Sequence, residues 1–109
     1  MEPYAVEKPW GTEVVWALTD RYCAKVLHVV AGRRLSLQYH REKDETLYCW
    51  EGEGLIRVGP RVLDFLPGAA WRIEARQTHR IEAVTPLTVF EVSTPEVGDV
   101  VRVEDDYGR

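Results

Sequence analysis

Two histidines, a glutamate and a glutamine have the types and the spacing of a metal site. Gln38 and His40 are two positions apart, so on a strand both side chains project from one face. Glu45 follows after the charged turn 41–44, and a hairpin of that size returns Glu45 to about the level of His40. His79 opens a later predicted strand, and the set offers two nitrogens and two oxygens, which suit zinc, iron, manganese, cobalt or nickel. We therefore predict one divalent metal at these four residues. The alternative is a group of ordinary polar residues near a hairpin, with His79 exposed at a strand end.

Short strands must position these residues. Turn signals such as Gly52-Glu53-Gly54 and Gly59-Pro60 separate runs of β-branched and aromatic residues. The 15 valines, without convincing helical periodicity, argue against a helical fold. Many short strands indicate an all-β fold, a small antiparallel β-barrel or jelly roll that forms one domain over residues 1–109. We predict strands at 13–18, 22–30, 34–40, 45–51, 55–58, 62–66, 70–73, 79–84 and 87–93.

Composition argues against several classes of partner. The net charge is −4, from 14 basic and 18 acidic residues, which disfavours nucleic acid. No apolar run can span a bilayer and the amino terminus lacks a signal-peptide core, so we expect a cytoplasmic protein without a membrane partner. Eleven of the 14 cations are arginine, which leaves anionic small molecules open as ligands. Cys23 and Cys49 form no disulfide framework, and we expect both to be buried as small apolar residues.

The spacing around the proposed ligands resembles a known family. Gly32-(x5)-Gln38-x-His40-(x4)-Glu45-(x6)-Gly52 resembles the first cupin motif, with Gln38 in place of its first histidine. Pro67-Gly68 followed by His79 resembles a loosened second motif. More specifically, the chain resembles the cupin domain of type II phosphomannose isomerases. That domain is the carboxy-terminal part of bifunctional phosphomannose isomerase/mannose-1-phosphate guanylyltransferases. The matching stretches are Lys8-Pro9-Trp10-Gly11, Leu35–His40, Glu45, His79–Glu82, Glu91-Val92 and, most distinctive, Arg102–Arg109.

The resemblance implies a metal-dependent sugar-phosphate isomerase that interconverts mannose 6-phosphate and fructose 6-phosphate. It implies a metal, usually zinc, held by Gln38, His40, Glu45 and His79. The chain departs from the family at three positions: Glu74 stands where proline is usual, Arg76 where glycine is usual, and Ala83 where asparagine is usual. We therefore expect weaker or broader substrate use than in a full-length relative.

The reaction moves a proton between adjacent carbons through an enediol, so it needs a base within hydrogen-bond reach. Lys25 matches a lysine characteristic of the family and is one candidate if its ammonium is partly desolvated. The alternative for Lys25 is a surface lysine on an edge strand. Glu91 is the second candidate, and its alternative is a carboxylate paired with an arginine. The sequence does not separate the two bases.

Arg109, the last residue of the sequence, is the third predicted catalytic residue. Gly108 can adopt backbone angles closed to other residues, which would turn Arg109 towards the barrel mouth. Its guanidinium could grip the substrate phosphate or steady the enediolate.

The remaining aromatic residues and His28 have two interpretations each. Trp10 could form the floor of a sugar site, but a packing anchor that seals the barrel end is favoured. His28 is expected to be a satisfied structural histidine. Trp16, Trp50 and Trp71 are expected in the core or in the interface of a homodimer.

Two further functions compete with the isomerase. One is a non-catalytic metal- or sugar-binding cupin, for which the closing segment would be dispensable. The other is a small metal-dependent dioxygenase, which would consume oxygen.

Overall fold

The computed structural model describes residues 1–109 and contains eleven strands in two antiparallel sheets. The six-stranded sheet has the order β1-β2-β3-β10-β5-β8, and the five-stranded sheet has the order β11-β4-β9-β6-β7. None of the structure is a helix of the length and apolar character that crossing a membrane requires. The strands are β1 (Tyr4–Lys8), β2 (Gly11–Leu18), β3 (Cys23–Val29), β4 (Leu37–Tyr39), β5 (Glu45–Glu51), β6 (Gly54–Val58), β7 (Arg61–Phe65), β8 (Ala70–Ile73), β9 (His79–Ala83), β10 (Leu87–Ser93) and β11 (Val101–Glu104).

Buried and more exposed residues alternate along the strands, and the buried ones form the core between the two sheets. In β5, Glu45, Leu47 and Cys49 are buried, whereas the residues between them are half-buried or exposed. The prediction of an all-β fold is confirmed, as is the burial of both cysteines as free thiols. The apolar core contains Trp10, Leu27, Val29, Leu35, Leu47, Cys49, Ile56, Phe65, Ile73, Ile81, Ala83, Leu87 and Val89.

Two strands were not predicted, and one was predicted too long. β1 and β11 each lie at the edge of a sheet and are mostly exposed, so they lack a clear alternation of apolar and polar residues. The predicted strand 34–40 is reduced to β4, preceded by one isolated bridge between Arg34 and Glu82.

Gly52, which ends the first motif, is required by a close approach of two chain segments. Its φ is +95°, and a Cβ there would lie 2.0 Å from the carbonyl oxygen of Pro86. Only glycine fits this turn between β5 and β6.

Candidate metal centre

The four predicted ligands come from three strands that meet at one end of the interior. Gln38 lies on β4 and is paired in register with His79, the first residue of β9. His40 follows β4 directly, and Glu45 opens β5. The predicted hairpin between His40 and Glu45 is wrong, because β4 and β5 belong to different sheets. Residues 40–44 instead cross from one sheet to the other, and this short connection still brings the two side chains together.

Three of the predicted ligands converge on one point. Glu45 Oε1 lies 3.2 Å from His40 Nε2 and 3.1 Å from His79 Nε2. All three side chains are buried, and their ligand atoms lie within 4.8 Å of one another. Gln38 lines the same cavity, and its Oε1 accepts a hydrogen bond from Ser36 Oγ at 3.2 Å.

The hydrogen bonds of the two imidazoles fit a bound cation. His40 Nδ1 donates to the backbone carbonyl of Asp99 at 2.5 Å, and His79 Nδ1 donates to that of Gln77 at 2.9 Å. Both rings therefore direct Nε2 towards the same oxygen of Glu45. The contact of His79 Nε2 lacks hydrogen-bond geometry, which leaves this buried nitrogen without a partner. Two imidazole nitrogens and a carboxylate oxygen that converge on one point fit the donor set of a divalent metal.

Glu45 is ionised, as a metal ligand must be. Burial alone would raise the pKa of Glu45. Its contacts with His40 and His79, together with the positive charge of Lys43, outweigh burial and hold this pKa well below its usual range.

Buried charges continue from the metal centre along the six-stranded sheet. Lys43 Nζ lies 2.8 Å from Glu91 Oε2 and 3.3 Å from Glu45 Oε2. Lys25 Nζ lies 2.8 Å from Glu13 and 4.0 Å from Glu91 Oε2. Burial would lower the pKa of Lys43, but the two carboxylates raise it above its usual value. Burial and the charge of Glu45 raise the pKa of Glu91, and the two lysines restrain that rise.

Both alternatives for the candidate bases are wrong. Lys25 is buried in β3, between β2 and β10, and is not a surface lysine on an edge strand. Glu91 is paired with lysines and not with an arginine. Lys43 was not singled out from the sequence, because charged residues in a turn are usually exposed.

Asp99 is a second functional residue that sequence reasoning missed. Its carboxylate accepts hydrogen bonds from the backbone N–H groups of residues 41, 42 and 43 at 2.7–3.0 Å. These backbone donors hold the pKa of Asp99 at about 2. Asp99 thus fixes the connection that carries Lys43, while its own carbonyl orients His40. The Gly98-Asp99 dipeptide, a common turn pair, was the available signal.

The closing segment lies at the cavity, as predicted, but its two arginines differ. Gly108 has φ +72°, and Arg109 lines the cavity while its guanidinium contacts Asp105 at 3.1 and 3.2 Å. Arg102 lines the same cavity, and its guanidinium makes neither a hydrogen bond nor an ion pair within the chain. From its sequence position, Arg102 was expected only to belong to the closing motif.

The other aromatic residues and His28 are distributed as follows. Trp10 is 4% exposed and belongs to the core, although it also borders the cavity. His28 is exposed on β3, where its Nδ1 lies 3.4 Å from Thr88 Oγ1 of the neighbouring strand, so the structural role expected of it stays a prediction. Trp16 and Trp50 are exposed, and Trp71 is half-buried against the core.

The three departures from the family pattern lie outside the cavity. Glu74 and Arg76 are exposed, and Ala83 is buried in the apolar core. None of them lines the charged cavity.

The sequence matches a family model described as "Mannose-6-phosphate isomerase C-terminal" over residues 2–106. The chain belongs to this family. It is 31% identical over 109 residues to the xanthan biosynthesis protein XanB of Xanthomonas campestris and 32% identical to the mannose-1-phosphate guanylyltransferase ManC of Salmonella typhimurium. Each match covers 95% of this chain but 23% of the relative, so the chain spans about a quarter of the length of these relatives.

Solved structures confirm the cupin fold. KdgF from Halomonas sp. superposes with a TM-score of 0.78 at 20% identity, over 88% of this chain and 87% of that chain. An RmlC-like cupin from Shewanella frigidimarina superposes with a TM-score of 0.80 at 15% identity, over 86% of this chain and 85% of that chain. At these identities the likeness shows the fold alone.

Proposed function

We propose that this cupin binds one divalent metal ion, zinc first, and interconverts mannose 6-phosphate and fructose 6-phosphate in the cytoplasm. The observation that carries the proposal is a single cavity in which His40 and Glu45, two members of a buried His-Glu-His donor set, line the wall together with the buried carboxylate of Glu91 and the free guanidinium of Arg102. The family to which the chain belongs supports the same chemistry. In this proposal His40, Glu45, His79 and Gln38 hold the ion. Bound there, it would polarise the carbonyl and hydroxyl oxygens of the sugar.

Of the two candidate bases, Glu91 suits proton transfer better. Its ion pairs run through Oε2, which leaves Oε1 to accept a proton from the sugar. Burial raises the pKa of Glu91, and a carboxylate with a raised pKa is a stronger base. Lys25 Nζ is paired with Glu13 at 2.8 Å and lies 4.0 Å from Glu91 Oε2, so in this proposal it orients Glu91 and does not accept the proton.

Arginine at the cavity mouth supplies the site for the phosphate. Arg102 has no carboxylate partner within the chain, so a phosphate can take its two-pronged donor without breaking an ion pair. Arg109 must share or release Asp105 to make the same contact. We therefore assign Arg102 as the first phosphate ligand and Arg109 as the second.

A coupled assay with mannose 6-phosphate tests the proposed function. We expect turnover with zinc-loaded protein, none after chelation, and recovery when zinc is returned. Glu91→Gln should bind the metal normally and lose turnover. Metal binding without turnover would favour a binding cupin, and oxygen consumption with a sugar substrate would favour a dioxygenase. Either result would overturn the proposal.

We also propose that a second copy of the chain covers the outer face of the six-stranded sheet. Among the outward side chains of its four central strands, the only charged one is Glu51, which is paired with Thr88 at the end of β5. On this face the ring of Phe90 stacks on Trp50 and Tyr48, with centroids 5.3 and 6.2 Å apart. Trp16 and Val92 are 51% and 55% exposed beside them.

The face has the charge and the size for self-association. A face whose central strands carry a single charge, Glu51 at the end of β5, meets its own copy with little repulsion across a two-fold axis. The four central strands, spaced by ~4.8 Å and each ~20 Å long, give a flat area of roughly 400 Å², and the two edge strands, which carry Glu7 and Arg72, extend it to roughly 600 Å². That area approaches the ~800 Å² of accessible surface that each partner of a stable interface buries.

Light scattering after size exclusion tests the homodimer. Phe90→Glu should convert the dimer to a monomer, because it places two charges opposite each other in an apolar interface. Val62→Glu, on the outer face of the five-stranded sheet, is the matched control and should leave the dimer intact. A wild-type chain that is monomeric at micromolar concentration would refute this proposal.

A further inference from the structure

Lys43 contacts two carboxylates that belong to different parts of the site. Its side chain is 5% exposed, and its Nζ lies 3.3 Å from Glu45 Oε2 and 2.8 Å from Glu91 Oε2. The other oxygen of Glu45, Oε1, is the one that faces both imidazoles. The two oxygens of Glu45 are thus divided between the metal centre and the ammonium.

Neighbouring strands place the two carboxylates close together. Glu45 on β5 is paired with Ser93, and Glu91 on β10 is paired with Leu47, so both acids project from the inner face two positions apart. Two buried like charges at this separation repel each other, and an uncompensated buried carboxylate costs several kcal/mol. The ammonium of Lys43 lies between them and compensates both.

The backbone around Lys43 is itself fixed. Asp99 Oδ2 accepts the backbone N–H of Lys43 at 3.0 Å and that of Glu42 at 2.7 Å. The ammonium of Lys43 therefore projects from a connection, residues 40–44, whose backbone is held in place by hydrogen bonds to Asp99.

We propose that Lys43 is a positioning residue that restricts Glu45 to one coordinating oxygen and holds Glu91 at the edge of the metal centre. This inference rests on the metal-binding part of the proposed function and is independent of the sugar. Without Lys43, Glu45 Oε2 is released and both oxygens of the carboxylate can reach the ion. The coordination number of a bound ion would then rise, and the carboxylate of Glu91 would no longer be held at a fixed distance from that ion.

Visible absorption of the cobalt-substituted protein tests this inference. Absorption by Co²⁺ in the visible range weakens as the coordination number rises, so Lys43→Met should bind Co²⁺ with a shifted spectrum and a loss of intensity. Lys43→Arg keeps the positive charge and should restore most of the wild-type spectrum. Lys25→Met is the matched control, because it removes an equally buried ammonium that does not contact Glu45, and it should leave the spectrum unchanged.

The outcomes separate this inference from the proposed function. Wild-type protein that binds no Co²⁺ would overturn the proposed function, and the role of Lys43 with it. Wild-type binding with an identical spectrum in folded Lys43→Met would overturn the role of Lys43 alone. The same spectral change in Lys25→Met would also overturn it, because the loss of any buried positive charge, with or without a contact to Glu45, would then change the spectrum. If Lys43→Met does not fold, Lys43→Gln removes the charge with a shorter side chain and is read in the same way.

Discussion

The interior between the two sheets has an apolar half and a charged half, and the same strands build both. β5 begins with Glu45 at the candidate metal centre and continues to Leu47 and Cys49 in the apolar core. β10 runs the opposite way, from Leu87 in the core to Glu91 beside Lys43. All of these residues are buried, so the strands direct the side chains of both halves into the interior in the same way.

The halves differ in what burial does for stability. Burying a large apolar side chain stabilises the fold by roughly 1.5–3 kcal/mol. Burying an ion costs several kcal/mol, and its partner often does no more than offset that cost. The charged half is therefore a poor source of stability. Since burying these charges stabilises the fold little, we infer that the residues of the charged half are arranged for binding. Substitutions that affect one half and spare the other test this division.

Loss of the histidine ligands should have the largest effect on function and a small effect on the fold. The double substitution His40→Ala/His79→Ala removes two of the four donors, so we expect loss of most of the metal and of isomerase turnover. Elemental analysis measures the metal, and circular dichroism checks that the β fold remains. His28→Ala removes the exposed third histidine and should keep full metal content. Full metal occupancy in the double variant would show that the ligands are assigned wrongly.

Loss of a core aromatic should have the converse effect. Phe65 is fully buried in the apolar half, and Phe65→Ala should lower the free energy of unfolding by about 3–5 kcal/mol. The measurement is denaturant unfolding of the metal-free protein. Val62→Ala, at a 61% exposed position of the same strand, should change this free energy by less than ~0.5 kcal/mol. An equal loss in both variants would mean that the apolar half is not the source of stability.

The two halves were also unequally predictable from the sequence. Alternation predicted the inward residues of β5 and β9, and with them Glu45 and His79, because strand periodicity fixes which side a residue faces. Lys43 and Asp99 lie in connections that have no period, and their roles depend on chain crossings between the sheets. The same crossing explains why His40 and Glu45 meet although the predicted hairpin does not exist.

The two arginines that line the cavity, Arg102 and Arg109, should contribute unequally to turnover. Arg102→Ala should cost on the order of 2–4 kcal/mol of transition-state stabilisation, or about 30- to 1,000-fold in kcat/KM, because it removes the unpaired phosphate ligand. Arg109→Ala should cost less, since the contact of Arg109 with Asp105 competes with substrate. Kinetics on mannose 6-phosphate measure both, and metal content should stay constant. An Arg102→Ala enzyme at the parent rate would remove Arg102 from the site.

The smallest expected effect concerns a strained residue beside the charged half. Arg76 has φ +70°, the one non-glycine residue in the left-handed region, and its backbone N–H donates to the carbonyl of His40 at 2.5 Å. A side chain in this conformation costs about 1–2 kcal/mol. Glycine relieves the strain but loses about 0.5–1 kcal/mol of chain entropy, so Arg76→Gly should stabilise the fold by roughly 0.5–1 kcal/mol.

The matched control for this position is Arg76→Ala. It removes the exposed guanidinium and keeps the Cβ, so the strain persists and stability should stay within ~0.5 kcal/mol of the parent. Thermal unfolding of both variants, with metal content checked, separates backbone strain from side-chain charge. Equal stabilisation by alanine and glycine would assign the effect to the guanidinium. A gain with glycine alone would show that the connection next to His40 carries strain that the charged half tolerates, because it is not built for stability.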